Sequence, residues 1–357
     1  MQRGLVVALD LDDPQRPLEP ELEEFEALAR AAGATIVGRI VQRRKAPDPA
    51  TLVGSGKALE IAEAARDLGV DVVLVLNDLR PRQRKSLERV IPAAIVDRTM
   101  VILDVFARHA RSREGKLQVE LAQLRYRQSN LIGAGAELSR LGGGIGSRGP
   151  GETKLETDRR RIAQRISVLR KHLDDVRRQR ATRRSANRAE PLVALVGYTN
   201  VGKSSLLNAL ARSDAFVADQ PFATLDPTVR RVYLAPDRYV RMVDTVGFIT
   251  DLPKDLVAAF LATLEELQDA SLLIHVMDAS SSDRERQRRA VEALLHELGL
   301  DQKPRLLVLN KTDKLHGDNP GDPDAIAVSA KTGTGLEALR SATLRMTTLH
   351  PLRAARR

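Results

Sequence analysis

The chain has 357 residues, no cysteine, 43% hydrophobic residues and a net charge of +10. Its length suggests two or three domains. The absence of cysteine excludes disulfides and thiolate metal sites. A protein without disulfides fits the reducing cytoplasm. No apolar run approaches the roughly 18 residues of a membrane-spanning helix, and the N-terminal apolar stretch is too short for a signal peptide. We therefore predict a cytoplasmic protein without a membrane span.

The first 108 residues alternate between strand-like and helix-like segments. Apolar residues at helical spacing predict helices, and short apolar runs predict strands at residues 5–9, 34–41, 71–76 and 93–96. This rhythm indicates a small α/β domain with a parallel sheet over residues 1–108. The segment Gly54-Ser55-Gly56-Lys57 resembles the end of a P-loop, but Thr51 stands where the first glycine is needed. We interpret it as a turn that opens a helix.

Residues 109–188 are predicted to form a helical hairpin. Apolar side chains recur at heptad spacing on both arms, at Leu117, Leu121, Leu124, Leu131, Leu155, Ile162, Ile166, Leu169, Leu173 and Val176. Between the arms, residues 133–151 contain eight glycines, a density that destabilises helices. The pattern therefore predicts two long antiparallel helices joined by a glycine-rich loop at 133–151.

The basic charge of the chain is concentrated in this hairpin. From Arg108 to Arg188 there are 21 lysines and arginines against 8 acidic residues, a net charge of +13. A solvated helical face is one explanation, but the size of the excess favours an anionic partner, nucleic acid first. Because only 3% of residues are aromatic, phosphate contacts to folded RNA fit better than base stacking. The loop segment 147–153 is either a flexible linker or a phosphate contact.

Residues 189–345 alternate again and carry polar motifs at the ends of predicted strands, before a short basic tail at 346–357. The strands are expected at residues 192–196, 240–243, 272–277, 306–309 and 326–328. Ligands of α/β sheets bind at the carboxyl ends of strands. The first such motif is a P-loop that leads into a helix beginning with Ser205: Gly197, Tyr198, Thr199, Asn200, Val201, Gly202, Lys203 and Ser204. In a P-loop the backbone N–H groups and the lysine hold phosphates, and the serine hydroxyl binds Mg²⁺.

Three further motifs follow at the spacing of a GTPase domain. A D-x-x-G element, Asp244-Thr245-Val246-Gly247, lies about 40 residues after the P-loop, with its carboxylate near the Mg²⁺ and its glycine N–H near the γ-phosphate. The element Asn310-Lys311-Thr312-Asp313 predicts guanine, because a carboxylate accepts from the N1–H and N2–H₂ edge that adenine lacks. Ser329-Ala330-Lys331 follows the next predicted strand and resembles the GTPase element whose backbone supports the guanine oxygen. Together with the P-loop, these three motifs predict that the domain binds GTP or GDP with Mg²⁺.

The switch threonine and the water-positioning group are less obvious. Thr224 and Thr228, in the segment 222–228 (Phe222, Ala223, Thr224, Leu225, Asp226, Pro227, Thr228), are both candidates for an Mg²⁺ ligand, and spacing does not choose between them. Ser205 and residues 222–226 are also expected to contact the nucleotide. Phe248 follows Gly247 where a Ras-like enzyme has glutamine, and a phenyl ring forms no hydrogen bond to water. Either hydrolysis is slow until a partner supplies the missing contact, or Phe248 packs under the loop and another residue orients the water.

Together these residues resemble the HflX family of GTPases, within the Obg–HflX group. The most specific parts are residues 143–160, with Gly143-Gly144-Ile145-Gly146 followed by Arg148-Gly149-Pro150-Gly151-Glu152-Thr153, and residues 222–228. The usual glutamine after Gly-Glu-Thr is Lys154 here. Many bacterial members carry a further C-terminal domain, whereas only about a dozen residues follow Leu344 here.

The resemblance implies a ribosomal partner. Members of the family contact the large ribosomal subunit through the N-terminal domain and the hairpin, and some split stalled or hibernating ribosomes under stress. The resemblance also implies Thr224, rather than Thr228, as the switch ligand of Mg²⁺. Together with Lys203 and Gly247 from the motifs above, Thr224 is a catalytic candidate. The alternative is a nucleotide-gated scaffold for a protein or free RNA, with incidental hydrolysis. A monomer is favoured over an obligate oligomer.

Overall fold

The computed structural model describes residues 1–13, 16–141, 150–185, 190–212, 221–222, 224, 226–250, 267–315 and 322–349. In the two longest helices, side chains are described for residues 113–131, 156–176 and 178. The chain divides into two compact units, one made of Met1–Arg108 and Lys116–Asp174 and the other of His109–Gly115 and Asp175–Arg357.

The first unit contains a four-stranded parallel sheet in the order β2-β1-β3-β4. The strands are β1 (Gln2–Asp10), β2 (Ala34–Arg43), β3 (Val72–Val75) and β4 (Ala94–Asp97). The helices that connect and follow them are α1 (Leu18–Ala31), α2 (Ser55–Asp67), α3 (Pro81–Glu88) and α4 (Arg98–His109). The predicted parallel α/β fold of this region is confirmed.

Burial explains the position of these elements. Leu5, Val7 and Leu9 of β1 pack with Ile61 of α2 in one continuous apolar core. Gly54 has a φ of 85° directly before α2, a conformation that favours glycine and marks the turn expected there. The segment is the start of a helix, as its sequence predicted.

The hairpin consists of α5 (Arg113–Leu141) and α6 (Pro150–Ser185), which pack along the predicted apolar seam. Their shared core consists of Leu121, Ile166, Leu169 and Leu173, flanked by Leu117, Leu124 and Ile162. Glu120 pairs with Arg165 at 2.7 Å across the two helices. Because only eight residues separate α5 from α6 in the sequence, that pairing requires an antiparallel return.

The structure corrects two predicted boundaries, the start of the glycine-rich loop and the start of the C-terminal tail. Helix α5 continues through Gly133 and Gly135 to Leu141, inside the stretch expected to be loop. A glycine costs a helix about 1 kcal/mol relative to alanine, and the intervening alanines and leucines offset that cost. The last helix likewise runs past residue 345 to Leu349, and the Thr347 hydroxyl donates to the carbonyl of Thr343 within it. Residues 142–149 and 350–357 lie outside the described part of the chain.

The second unit contains a six-stranded sheet in the order β10-β9-β8-β5-β7-β6, in which only the β6–β7 pairing is antiparallel. Its strands are β5 (Leu192–Val196), β6 (Thr228–Ala235), β7 (Arg238–Asp244), β8 (Leu272–Asp278), β9 (Arg305–Asn310) and β10 (Ala325–Ala327). Its described helices are α7 (Lys203–Ala211), α8 (Arg284–Glu297), α9 (Leu336–Leu349) and a short 3₁₀ helix at Thr312–Lys314. None of the described helices is long and apolar enough to cross a membrane.

Candidate functional site

The P-loop lies between β5 and α7, and its backbone requires glycine at two positions. A Cβ on Gly197 would come within 2.2 Å of the carbonyl oxygen of Val276, and one on Gly202 within 2.4 Å of the Asn310 amide nitrogen. Gly202, with a φ of 88°, directly precedes the first turn of α7. The loop therefore wraps closely against β8 and the Asn310 side chain, with its backbone at the start of a helix, as a phosphate cradle requires.

Lys203 lies inside this loop with only 6% of its surface exposed. Its Nζ donates hydrogen bonds to the carbonyl oxygens of Gly197, at 3.0 Å, and Tyr198, at 2.7 Å. Burial lowers the pKa of Lys203 to about 8, against the opposing effect of the nearby Asp244 carboxylate. An anion such as a phosphate would stabilise the charged form of this ammonium group.

Three oxygen-bearing side chains meet at the edge of the P-loop. The Ser204 hydroxyl lies 2.7 Å from the Thr224 hydroxyl and donates to an Asp244 carboxylate oxygen at 2.5 Å. The structure thus places Thr224 beside Ser204, whereas Thr228 begins β6 opposite the backbone of Asp244. Hydroxyl and carboxylate oxygens are the ligands that Mg²⁺ prefers.

Asp244 carries the observation that tests whether these residues fit a cation. It is 1% exposed, and its Oδ1 atom has no hydrogen-bond partner among the described residues. Burial raises the pKa of Asp244, while Lys203 and the hydroxyls of Ser204 and Thr224 oppose that shift. A buried carboxylate oxygen without a donor is costly. A hydrated Mg²⁺ ion would satisfy it, so the residues fit the metal.

The D-x-x-G segment is fastened to the P-loop by its backbone. The N–H of Thr199 donates to the carbonyl of Phe248 at 2.8 Å, and the N–H of Phe248 donates to the carbonyl of Gly197 at 3.1 Å. A Cβ on Gly247 would lie 2.9 Å from the Thr199 Cα atom. The Phe248 side chain is 2% exposed, so it packs in the interior in this conformation. The Thr245 hydroxyl donates to the carbonyl of Leu195 and so has a structural contact.

Asn310 connects the predicted guanine-binding motifs to the P-loop. Its amide nitrogen donates to the carbonyl of Val201 at 2.9 Å, and its amide oxygen accepts from the N–H of Ala330 at 3.0 Å. Lys311 donates to the carbonyl of Asn200 at 2.6 Å and pairs with Asp278 at 2.8 Å. These contacts hold three separate loops as one frame around the place where the base is expected.

Asp313, the candidate base acceptor, is exposed at the edge of this frame. The Ser329 hydroxyl donates to its carboxylate at 2.6 Å. That hydrogen bond lowers the pKa of Asp313, with smaller contributions from Lys331 and Lys314. The carboxylate is therefore ionised, oriented and open to a ligand that offers two donors.

Most of the described candidate residues come together in this way, and Asp226 is an exception. Ala223 and Leu225 lie outside the described residues. The Asp226 carboxylate was expected to contact the nucleotide, but it accepts hydrogen bonds from the backbone of Arg111 and Ser112. The Asp278 contact to Lys311 was missed, although an acidic residue at the end of an apolar strand beside the base motif is a recognisable signal.

Family profiles match most of the chain. Residues 19–107 match the family described as GTP-binding GTPase N-terminal, and residues 109–187 match GTP-binding GTPase Middle Region. Residues 192–311 match the family described as 50S ribosome-binding GTPase.

Similar proteins extend this match over nearly the whole sequence. Proteins named GTPase HflX from Caldanaerobacter subterraneus subsp. tengcongensis and Escherichia coli K12 are each 47% identical to this chain. The aligned regions cover 96% and 89% of this chain and 79% and 77% of those relatives. The chain belongs to the HflX family of GTPases. Like the family, it binds GTP and Mg²⁺ and hydrolyses GTP to GDP and phosphate.

Two solved structures of GTP-binding proteins resemble this chain over nearly its whole length. A complex of the protein SsGBP with GDP is 26% identical, covers 98% of this chain and 99% of its own, and superposes with a TM-score of 0.54. A GTP-binding protein from Sulfolobus solfataricus in complex with GDP is 25% identical, with the same coverage and a TM-score of 0.51.

Proposed function

We propose that this HflX GTPase associates with the large ribosomal subunit in its GTP state, through the N-terminal domain and the basic hairpin. By the resemblance to the family, such binding would split stalled or hibernating ribosomes. The observation that carries the proposal is the exposed basic surface of α6, in a chain whose GTPase domain matches a 50S ribosome-binding family.

The exposed basic residues of α6 run along most of its described length: Arg159, Arg160, Arg161, Arg165, Arg170, Lys171 and Arg178. Some pair with neighbouring acids, as Arg160 does with Glu156 at 3.1 Å. Exposed pairs of this kind contribute about 0–1 kcal/mol and are screened by salt. They are therefore easily exchanged for phosphate groups of ribosomal RNA, whose contacts release counterions.

The nucleotide roles follow from the geometry of the site. We assign Lys203 and the P-loop N–H groups to the phosphates, Ser204 and Thr224 to Mg²⁺, and Asp313 to the guanine edge. Mg²⁺ held by Ser204 and Thr224 would supply positive charge next to the phosphates. Asp244 would hold water in the shell of the ion through its unpartnered oxygen.

Hydrolysis by the free protein is proposed to be slow. The Phe248 side chain is buried and has no polar atom with which to orient the attacking water. The Gly247 N–H is the group assigned to the γ-phosphate, so the segment can sense the nucleotide without activating water. A ribosome-supplied or ribosome-ordered contact would complete the site, which makes the GTPase dependent on its partner.

The proposal is tested by co-sedimentation of the protein with purified large subunits in the presence of a non-hydrolysable GTP analogue, over a series of salt concentrations. The double variant Arg170→Ala/Lys171→Ala should bind more weakly and lower the salt slope by about two, since each lost phosphate contact lowers it by about one. The control is Arg238→Ala/Arg289→Ala, which removes two exposed arginines outside the hairpin.

Equal weakening in both double variants would show that only net charge matters and would contradict docking through the hairpin. Failure of the unaltered protein to sediment with subunits, while it still binds GTP, would favour the scaffold hypothesis instead.

A further inference from the structure

Asp226 makes a long-range contact that the nucleotide site does not explain. Its Oδ2 atom accepts hydrogen bonds from the backbone N–H of Arg111, at 3.0 Å, and of Ser112, at 2.7 Å. The Ser112 hydroxyl donates to its Oδ1 atom. Residues 109–115 belong to the same compact unit as Asp226, although they are more than 100 positions away in the sequence.

The partner of Asp226 is the start of helix α5. Ser112 directly precedes the helix, and its hydroxyl accepts from the N–H of Gly115 at 2.8 Å, as a helix-capping residue does. The negative charge of Asp226 therefore lies at the positive end of a long helix, where it is favourable. A Cβ on Gly115 would lie 2.6 Å from the Asp226 Oδ1 atom, so glycine leaves the room that this approach needs.

The same loop reaches the proposed metal site only two residues earlier. The Thr224 hydroxyl lies 2.7 Å from the Ser204 hydroxyl, and Phe222 anchors the loop with 2% exposure. Two residues of chain span at most about 7 Å between their Cα atoms. The position of Asp226 therefore restricts where the Thr224 hydroxyl can lie.

We propose that Asp226 is a positioning residue that holds Thr224 at the metal site by fastening the loop to the first turn of α5. The contact ties the GTP-bound arrangement of the loop to the beginning of the basic hairpin. The inference rests on the proposed role of Thr224 as an Mg²⁺ ligand. GDP lacks the γ-phosphate that completes this arrangement, so the contact between Asp226 and Ser112 forms more fully with GTP.

Two variants approach the contact from opposite sides. Asp226→Ala removes the acceptor, and Gly115→Ala inserts a methyl group against it while raising the intrinsic helix propensity of α5. Each should weaken binding of a non-hydrolysable GTP analogue with Mg²⁺ at least tenfold and leave GDP binding within about twofold. Gly56→Ala is the matched control, because a Cβ on Gly56, in the first turn of α2, meets no atom within 4 Å.

Equal losses of GTP-analogue and GDP affinity would mean a general structural role and would overturn the proposal, as would unchanged affinities. Thr224→Ala distinguishes the assigned Mg²⁺ role of Thr224 from the contact between Asp226 and α5. If Thr224→Ala leaves the preference for the GTP analogue unchanged, the assigned role of Thr224 is wrong. If it abolishes the preference while Asp226→Ala and Gly115→Ala do not, only the contact to α5 is wrong.

Amide hydrogen exchange tests the contact in the unaltered protein. The N–H groups of Arg111 and Ser112 should exchange at least tenfold more slowly with the GTP analogue than with GDP, since Asp226 accepts from both. Equal exchange in the two nucleotide states would show that the contact does not respond to the γ-phosphate and would overturn the proposal.

Discussion

At the scale of single residues, Asp313 is the group to which we assign the choice of base. Replacing it with asparagine turns one acceptor oxygen into an amide donor, which faces the N2 amine of guanine. Hydrogen bonds to a charged group contribute about 1.5–3 kcal/mol each, so we expect GTP affinity to fall by about 100-fold. Xanthine carries an oxygen in place of that amine, and binding of xanthosine triphosphate should therefore improve.

Competition between each triphosphate and a fluorescent nucleotide measures this change of base preference. Asp324→Asn is the control, since Asp324 is exposed outside the base site. If Asp313→Asn left both affinities as they were, Asp313 would not contact the base.

His275 is a second residue with a measurable consequence, although it has no assigned role in catalysis. It is 1% exposed on β8, and neither ring nitrogen has a hydrogen-bond partner within the described residues. Burial lowers its pKa to about 3, with further lowering by the positive charges of Arg305, Arg288 and Lys203. In the unfolded chain the imidazole titrates near its ordinary value of about 6.5.

Acid should therefore destabilise the protein through His275. Between pH 6.5 and 3 the unfolded chain binds a proton that the folded chain does not, so stability falls as the pH is lowered through this range. His275→Leu should lose about 2 kcal/mol less stability than the original chain between pH 7.5 and 5. Urea unfolding at both pH values measures the difference, with the exposed His172→Gln as control. The same pH dependence in all three proteins would disprove the explanation.

Site residues that belong to a short motif were predictable from the sequence. Hydrogen-bond partners that lie far apart in the sequence were not. Asn310 is the last residue of β9 and Asp313 lies three residues further on, so the motif stands at the end of this strand, as the strand pattern predicted. The partners of Asp226 and Lys311 depend on where distant loops meet, which no local pattern encodes. The adjacency of Thr224 and Ser204 likewise depends on the path of the loop, so spacing alone left Thr228 as an equal candidate.

At the scale of elements, the hairpin depends on the apolar seam between α5 and α6. Leu169 is fully buried there, whereas the neighbouring Val168 is 42% exposed. Leu169→Ala should destabilise the protein by about 3 kcal/mol, because a core leucine loses both transfer free energy and packing. Val168→Ala should change stability by less than about 0.5 kcal/mol. The urea midpoint of the helical circular dichroism signal measures both changes. Equal midpoints for the two variants would contradict the packing of Leu169 in the seam.

Apolar patterning predicted the buried strands of both sheets because parallel strands covered on both faces are nearly continuous runs of aliphatic residues. Strand β6 was missed because it lies at the edge of its sheet and alternates exposed residues such as Arg231 and Tyr233 with the buried Val232. The extent of α5 was misjudged for another reason. The glycines of α5 indicate a local free-energy cost of helix formation. Their number does not show that the neighbouring helical residues outweigh this cost.

At the scale of the whole molecule, the chain combines a guanine-nucleotide site in one unit with a basic surface on α6, most of which belongs to the other unit. The site binds and orients GTP with its own residues, but the buried Phe248 leaves the attacking water without a side-chain partner from that position. The central claim is that the large ribosomal subunit both binds the basic surface and completes the GTPase.

Steady-state GTP hydrolysis with and without purified large subunits, at low and high salt, tests that claim most directly. We predict slow turnover by the protein alone and strong stimulation by subunits at low salt. High salt should remove most of that stimulation, because phosphate contacts are lost as counterions compete. The same rate with and without subunits at both salt concentrations, from a protein that binds GTP normally, would contradict the account.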